Sequence, residues 1–369
     1  MRIEARPTPS HTMRYLSPLL ALGLTLITGA ALFAALGKAP LASLHAFFIE
    51  PVSTVYGLSE LFVKVTPLLL CATGLTLCFR AKVWNIGAEG QFVFGALIAG
   101  AVSLQLADYQ GFWVLPVVIA SGVLAGMAWA GIAAILLTRF RAHEILTTIM
   151  LNYIAIQLLL WSVHGPLKSP SGYNFPESEL FSPQTLLPTL WGQYRVTIAI
   201  FIALLMLAVI WTVLNRTLLG YQTRVMGENR QAARFAGFNG NRLIWILLLF
   251  SGGMAGMAGV SEVNGPVGQL TTNLALGYGY TAIIIVFMGR MHPLGVLLAS
   301  LLLGLTYLGG ENAQMTLGLP KSITGVFQGL LLFFLLACDF LISHRIVLAP
   351  IRSQHPNLSN TPVREVTRS

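Results

Sequence analysis

The run Trp84-Asn85-Ile86-Gly87-Ala88-Glu89-Gly90-Gln91 sets three hydrogen-bonding side chains, Asn85, Glu89 and Gln91, among glycines at the head of a long apolar stretch. An ordinary membrane helix would place apolar residues there. A carboxylate in or near a bilayer is costly, so Glu89 should face other protein or a water-filled cavity. Two roles fit these residues: capping and pinning broken helix ends, or lining a route for a solute. Enzyme chemistry finds less support. His143-Glu144 opens a run whose position 147 is Thr147 instead of the second histidine of a zinc-binding helix. No G-x-x-x-x-G-K-[ST] phosphate loop occurs, so any ATP chemistry of that kind belongs to another subunit.

A second polar stretch, Gly220 to Arg242, lies between two apolar runs, with Arg216, Arg224, Arg230, Arg234 and Arg242 in or beside it. Its middle, Gly227 to Gly237, reads as a short helix placing Glu228, Ala232 and Phe235 at i, i+4 and i+7. Ala233 and Ala236 adjoin that face, and Phe235 and Phe238 flank it. Arg230 and Arg234, four apart, would repel if unpaired. The segment is either a solvated amphipathic loop or a helix that docks into a groove on a partner.

The elements that must position these residues are membrane helices. The chain is 55% hydrophobic and only 9% charged, far from the roughly 25% charge of soluble domains. A hydrocarbon core about 30 Å thick needs about 20 apolar residues per span. Ten candidate spans follow, near 16–36, 57–79, 88–107, 114–138, 144–163, 194–214, 243–261, 276–289, 293–310 and 321–342. The expected fold is therefore an all-α polytopic membrane protein. Seventeen of the 22 Lys and Arg residues fall in alternate connections and the two ends. The positive-inside rule then puts both termini in the cytoplasm. The net charge of +9 reports orientation, and a nucleic-acid partner is excluded. The first apolar run is longer than a signal core, which favours an uncleaved span.

Residues 1–15 and 346–369 form polar tails around a transmembrane domain of 16–345. The outer connection near 37–56 contains SLHAFFIEPV, too short to span and able to lie along the interface. The outer loop 164–193 holds Pro166, Pro170, Pro176, Pro183 and Pro188, which break any regular helix. It caps the spans or docks an external protein. Glycines four apart at Gly122 and Gly126, Gly252 and Gly256, and Gly325 and Gly329 indicate close helix packing. Cys71, Cys78 and Cys338 sit inside spans without metal-type spacing, and packing is their expected role. SEVNGPVGQLTTNLALGYGYTA, from Ser261 to Ala282, is a second Gly-rich polar break that echoes the one at 84–91. Paired breaks of this kind point to a transport pathway.

FRAKVWNIGAEGQFVFGA, HEILTTIMLNYIA and GENRQAARFAGFN, in that order, resemble the permease subunits of bacterial ABC importers for nucleosides and simple sugars, within the ribose-permease-like superfamily. The likeness covers about 57–342, and NIGAEGQ followed by EILTTIMLNYIA points to the nucleoside-type branch. It implies an inner-membrane transport subunit that binds no cofactor of its own. The implied partners are an ATPase with two nucleotide-binding modules carrying ATP and Mg, a second related permease, and an extracytoplasmic substrate-binding protein. Gly227, Glu228, Asn229, Ala232, Ala233, Phe235 and Gly237 match the cytoplasmic coupling helix of that family. A nucleoside is neutral and rich in hydroxyls. Asn85, Glu89, Gln91, Asn152, Tyr153, Asn264, Tyr278 and Tyr280 are the pathway candidates by position near the spans. The alternatives are a simple-sugar permease of the same class, or an ion-coupled secondary transporter using Glu89 as its titrating carboxylate.

Overall fold

The computed structural model describes residues 2–5, 11–172 and 175–347. A short strand β1 (Arg2–Ala5) precedes α1 (His11–Ala35). Next comes α2 (Pro40–Phe48), opened by a proline in its first turn, where a missing N–H costs nothing. The side chain of Thr54 accepts from Gly57 N at 3.0 Å and caps α3 (Val55–Arg80). Then follow α4 (Ala88–Gln105), α5 (Val114–Phe140) and α6 (Glu144–His164). Beyond the outer loop lie α7 (Ala199–Arg216), α8 (Leu218–Glu228), α9 (Arg230–Phe235) and α10 (Gly240–Glu262). The last helices are α11 (Tyr278–Met288), α12 (Pro293–Leu317) and α13 (Ile323–Ser343), before strand β2 (His344–Val347).

Eight helices among the described residues, α1, α3, α5, α6, α7, α10, α12 and α13, are long and apolar enough to cross a membrane. The two other expected spans behave differently. The first turn of α4 carries Glu89 and Gln91, and its body is packed inside the bundle. The 11 residues of α11 rise about 17 Å, roughly half of a hydrocarbon core. Between α10 and α11 the chain makes a π-helical turn, Val263–Val267, with Pro266 inside it, and then runs irregularly to Gly277. Irregular backbone at such depth requires protein around it.

The most apolar window of α3 is 94% buried, against 22% for that of α1, so α3 is central and α1 peripheral. Against α3 packs α10, which is also crossed by α4 and α5. Lipid supplies no hydrophobic drive between helices, and contact therefore depends on small residues. A Cβ on Gly126 would collide with the Gly252 carbonyl, and one on Gly256 with the Gly122 carbonyl. The third expected pair, Gly325 and Gly329 on α13, has nothing within 4 Å of such a Cβ.

Two peripheral pieces depart from expectation, and a third, the outer loop, takes one of its two expected arrangements. The SLHAFFIEPV piece is not laid out on an interface: Phe47 is fully buried, with its ring 4.6 Å from that of Phe327. Its aromatic pair finds a pocket between helices, which removes more apolar surface than an interface would. The expected polar tails contribute a two-stranded antiparallel ladder, pairing Arg2 with Val347 and Ala5 with His344. The segments 2–5 and 344–347 thus lie side by side. The rest of the tails, 6–10 and 348–369, with Arg6, Arg352, Arg364 and Arg368, lies outside the described residues. The proline-rich loop is strapped along the second break: Ser178 N donates to Leu270 O at 2.9 Å, Phe181 N to Gly268 O at 2.9 Å, and Leu187 N to Asn264 O at 2.7 Å. That arrangement is a cap over the spans.

Candidate functional site

The turn before α4 is held by amide side chains. Asn85 and Gln91 exchange two hydrogen bonds of 3.1 Å, Nδ2 to Oε1 and Nε2 to Oδ1, and Asn85 Nδ2 also donates to Ser251 Oγ of α10 at 3.0 Å. Asn152 of α6 accepts from Gly90 N at 2.8 Å and donates to Ile86 O at 2.9 Å and to the Tyr280 hydroxyl at 3.1 Å. Asn85, Gln91 and Asn152 are buried and fully engaged with protein. A buried polar group left unmatched is expensive, so each amide fixes a backbone path that the glycines make possible.

Glu89 ties the two polar breaks together. Its carboxylate accepts from Gly277 N at 2.9 Å and from Gly279 N at 2.7 Å, at the start of α11. An anion at a helix N-terminus satisfies amides that have no partner inside the helix. Gly279 makes the approach possible, since a Cβ there would strike the backbone of Glu89. Both carboxylate oxygens therefore take part in a cap that joins the two breaks.

The other candidates are distributed. Asn264 is buried, donating to Ser103 Oγ at 2.7 Å and Thr185 O at 3.0 Å, and it pins the outer loop. Tyr278 is buried among Phe92 and Tyr307, with its hydroxyl 3.5 Å from Glu262 Oε1. Tyr280 sits at the edge of the network. Tyr153 is 60% exposed on α6 and is not part of the network. The capping and pinning role thus describes Asn85, Glu89, Gln91, Asn152 and Asn264 better than direct lining does.

On the face that the basic residues assign to the inside, the expected continuous helix from 227 to 237 is broken in two. Asn229 adopts φ −152° and ψ 111°, and its side chain accepts from Gln231 N at 2.8 Å and Ala232 N at 3.2 Å. Asparagine caps a helix start better than it sits within one. Glu228 therefore ends α8, and Glu228, Ala232 and Phe235 do not share one helical face. Gly227 is buried because a Cβ there would strike the Arg80 carbonyl at the end of α3. In α9, Ala233 is buried, whereas Ala232 is exposed and Phe235 stands 92% exposed. Two grooves of about 450 and 410 Å³ flank Phe238 on either side.

Glu144, dismissed above with the failed zinc motif, proves to be the link between these regions. Its Oε1 accepts from Arg230 Nη2 of α9 at 3.0 Å, and its Oε2 accepts from Trp84 N at 2.8 Å. Arg230 also donates to Lys82 O at 3.2 Å. An acidic residue opening a span beside a basic segment was the available signal. Near the opposite end, Arg195 forks onto Glu60, with Nε to Oε1 at 3.0 Å. That carboxylate holds the guanidinium above its usual range.

A bundle of apolar helices with two interlocked polar breaks and a short helix presented on its inner face defines a membrane permease. The family described as branched-chain amino acid transport system / permease component matches residues 57–336, and the chain belongs to it. It is similar to the glucose ABC transporter permease protein TsgB13 of Haloferax volcanii, 30% identical over 95% of this chain and 94% of that one. It is also similar to the guanosine ABC transporter permease protein NupP of Bacillus subtilis, 29% identical over 86% of this chain and 92% of the other. A further relative is the nucleoside ABC transporter permease protein NupB of Lactococcus lactis, 25% identical over 90% and 93%. No solved structure matches the chain. The protein is a multi-pass inner-membrane transport subunit of an ABC importer and not itself an enzyme.

Proposed function

We propose that this chain is one of two related membrane subunits forming the path of an ABC importer for a nucleoside, purine or pyrimidine. An ATPase with two nucleotide-binding modules, holding ATP and Mg, docks against α9 and the grooves beside Phe238, and an extracytoplasmic binding protein delivers the solute at the other face. The carrying observation is the continuous set of bonds from α9 to the breaks. Arg230 holds Glu144, Glu144 holds the Trp84 amide, and the following turn leads to Glu89, which caps α11. Movement of α9 on nucleotide binding would displace Glu144 and with it the polar turn, opening one end of the path as the other closes. Relatives support the paired arrangement. Bacillus subtilis and Lactococcus lactis each have a second similar permease, NupQ and NupC, named for the same substrate as its companion. A simple sugar is the second reading, favoured by the likeness to the glucose permease over nearly the whole chain.

The test is uptake by proteoliposomes holding this chain with its ATPase, companion permease and binding protein. Labelled guanosine, uridine, glucose and leucine are offered separately. Saturable, ATP-dependent uptake of a nucleoside is expected. Glucose uptake alone moves the assignment to the sugar reading, and leucine uptake alone rejects both. Accumulation driven by a proton or sodium gradient without the ATPase overturns the importer mechanism.

A further inference from the structure

A cavity of about 210 Å³ lies beside the second break, walled by Lys64 of α3, Arg195 ahead of α7, Glu262 at the end of α10, and Thr271, Asn273 and Leu274 of the irregular segment. It sits at the end of the bundle opposite α9, the side that the basic residues assign to the outside. Three ionisable side chains around one small space are notable in a chain with only 9% charged residues. The two cations are already compensated: Lys64 Nζ lies 2.7 Å from Glu311 Oε1, and Arg195 forks onto Glu60. An ammonium carries three N–H groups and a guanidinium five, so both retain donors. Glu262 is different. Its Oε1 faces the Tyr278 hydroxyl, but its Oε2 has no partner among the described residues, although the residue is only 4% exposed.

We infer that this cavity is an outward subsite of the permease for the vicinal diol of a sugar ring, with Glu262 Oε2 accepting from one hydroxyl and Lys64 and Arg195 donating to its neighbour. This rests on the importer reading above and names the part of the solute that the permease itself recognises. A diol needs an acceptor and donors side by side, which is what the unpartnered carboxylate oxygen and the spare N–H groups of two paired cations offer. A zwitterionic amino acid would need an uncompensated cation for its carboxylate, and none faces the cavity among the described residues. The volume falls below the roughly 300 Å³ at which drug-sized pockets begin. It therefore suits one ring, with any attached base lying outside the cavity. The diol occurs both in the ribose of a nucleoside and in glucose.

The three native cysteines are buried, whereas Asn273 is exposed at the rim. Asn273→Cys, with Thr271→Cys as a second reporter, therefore gives a reachable thiol in the assembled transporter. The rate of reaction with a membrane-impermeant charged thiol reagent is measured with guanosine, 2′,3′-dideoxyguanosine, glucose or leucine present. Guanosine should slow labelling at least fivefold, and the dideoxy compound and leucine should not. Adding Glu262→Gln should abolish the protection and raise the KM for uptake at least tenfold. Protection by glucose in place of guanosine supports the same subsite with a hexose as its source. Equal protection by the dideoxy compound, protection by leucine, or no protection by any compound while uptake persists each overturns the subsite and leaves the importer reading intact. Failure of that reading would show separately, as absence of ATP-dependent uptake.

Discussion

Glu144 joins three elements through one carboxylate, and its role is geometric more than energetic. The Arg230 side chain is 58% exposed, so the ion pair itself contributes under about 1 kcal/mol. Removing Arg230 should barely shift the melting point of the purified complex, whereas removing Glu144 also strips the acceptor from the part-buried Trp84 amide and should lower it modestly. Transport is a different matter, because this group joins the Arg230 side chain to the Trp84 amide, with the Arg230 bond to Lys82 O as a second tie. Glu144→Ala and Arg230→Ala should each cut uptake by about tenfold, with the double variant no worse than either single one. Losses that multiply in the double variant would show that the two residues act independently. For Glu89 the expectation is the reverse. Glu89→Ala strips the acceptor from two amides at the start of α11, at about 1–3 kcal/mol each, and should lower the melting point clearly. Glu89→Gln keeps one acceptor oxygen, so it should lose less stability and retain uptake. A Gln variant of unaltered melting point with no transport would instead mark Glu89 as a proton carrier.

Among the elements, the joints between helices separate what residue patterns reveal from what they conceal. Gly227 abuts the Arg80 carbonyl, so Gly227→Ala must lift α8 from the end of α3. Overpacking of this kind costs about 1–3 kcal/mol, and uptake should fall with the thermal midpoint. Gly325→Ala is the contrast: that site is open, and alanine favours helix by up to about 1 kcal/mol, so uptake and stability should hold. Equal damage from both substitutions would contradict the packing described. The apolar runs reveal α1, α3, α5, α6, α7, α10, α12 and α13 because hydropathy over about 20 residues is a strong signal. They are a weaker signal at α4, whose first turn holds Glu89 and Gln91, and at α11, which has only 11 residues. The break at Asn229 was legible in principle from its capping preference. The meeting of Glu89 with Gly277 and Gly279 was not, because 188 residues separate the first pair and no local pattern encodes the contact. The surroundings of Glu262 were hidden for the same reason, since the cavity it lines is assembled from α3, the entry to α7 and the second break.

Across the molecule, a rigid centre of α3, α4, α5 and α10 carries a small appendage, α8 and α9, which is bonded to it at few points. The asymmetry has a consequence for Phe235. A side chain 92% exposed contributes almost nothing to the stability of its own chain, and its truncation should leave the folding free energy within about 0.5 kcal/mol. Single exposed aromatics need no explanation by themselves. Here, however, the ring ends a short helix that lines a groove of about 450 Å³, next to a second of about 410 Å³ that shares Phe238 with it. An aromatic anchor at a docking surface is typically worth about 2 kcal/mol or more when truncated. Phe235→Ala should therefore leave membrane abundance and melting point unchanged while reducing recovery of the ATPase subunit with the tagged permease by more than about tenfold. Uptake should fall in parallel, because an unattached ATPase transmits no movement to Arg230. If the ATPase is recovered in full and uptake is retained, α9 is a solvated loop and the power stroke enters elsewhere. If the melting point of the isolated permease falls instead, Phe235 packs within its own chain and the exposed face described above is not the docking surface.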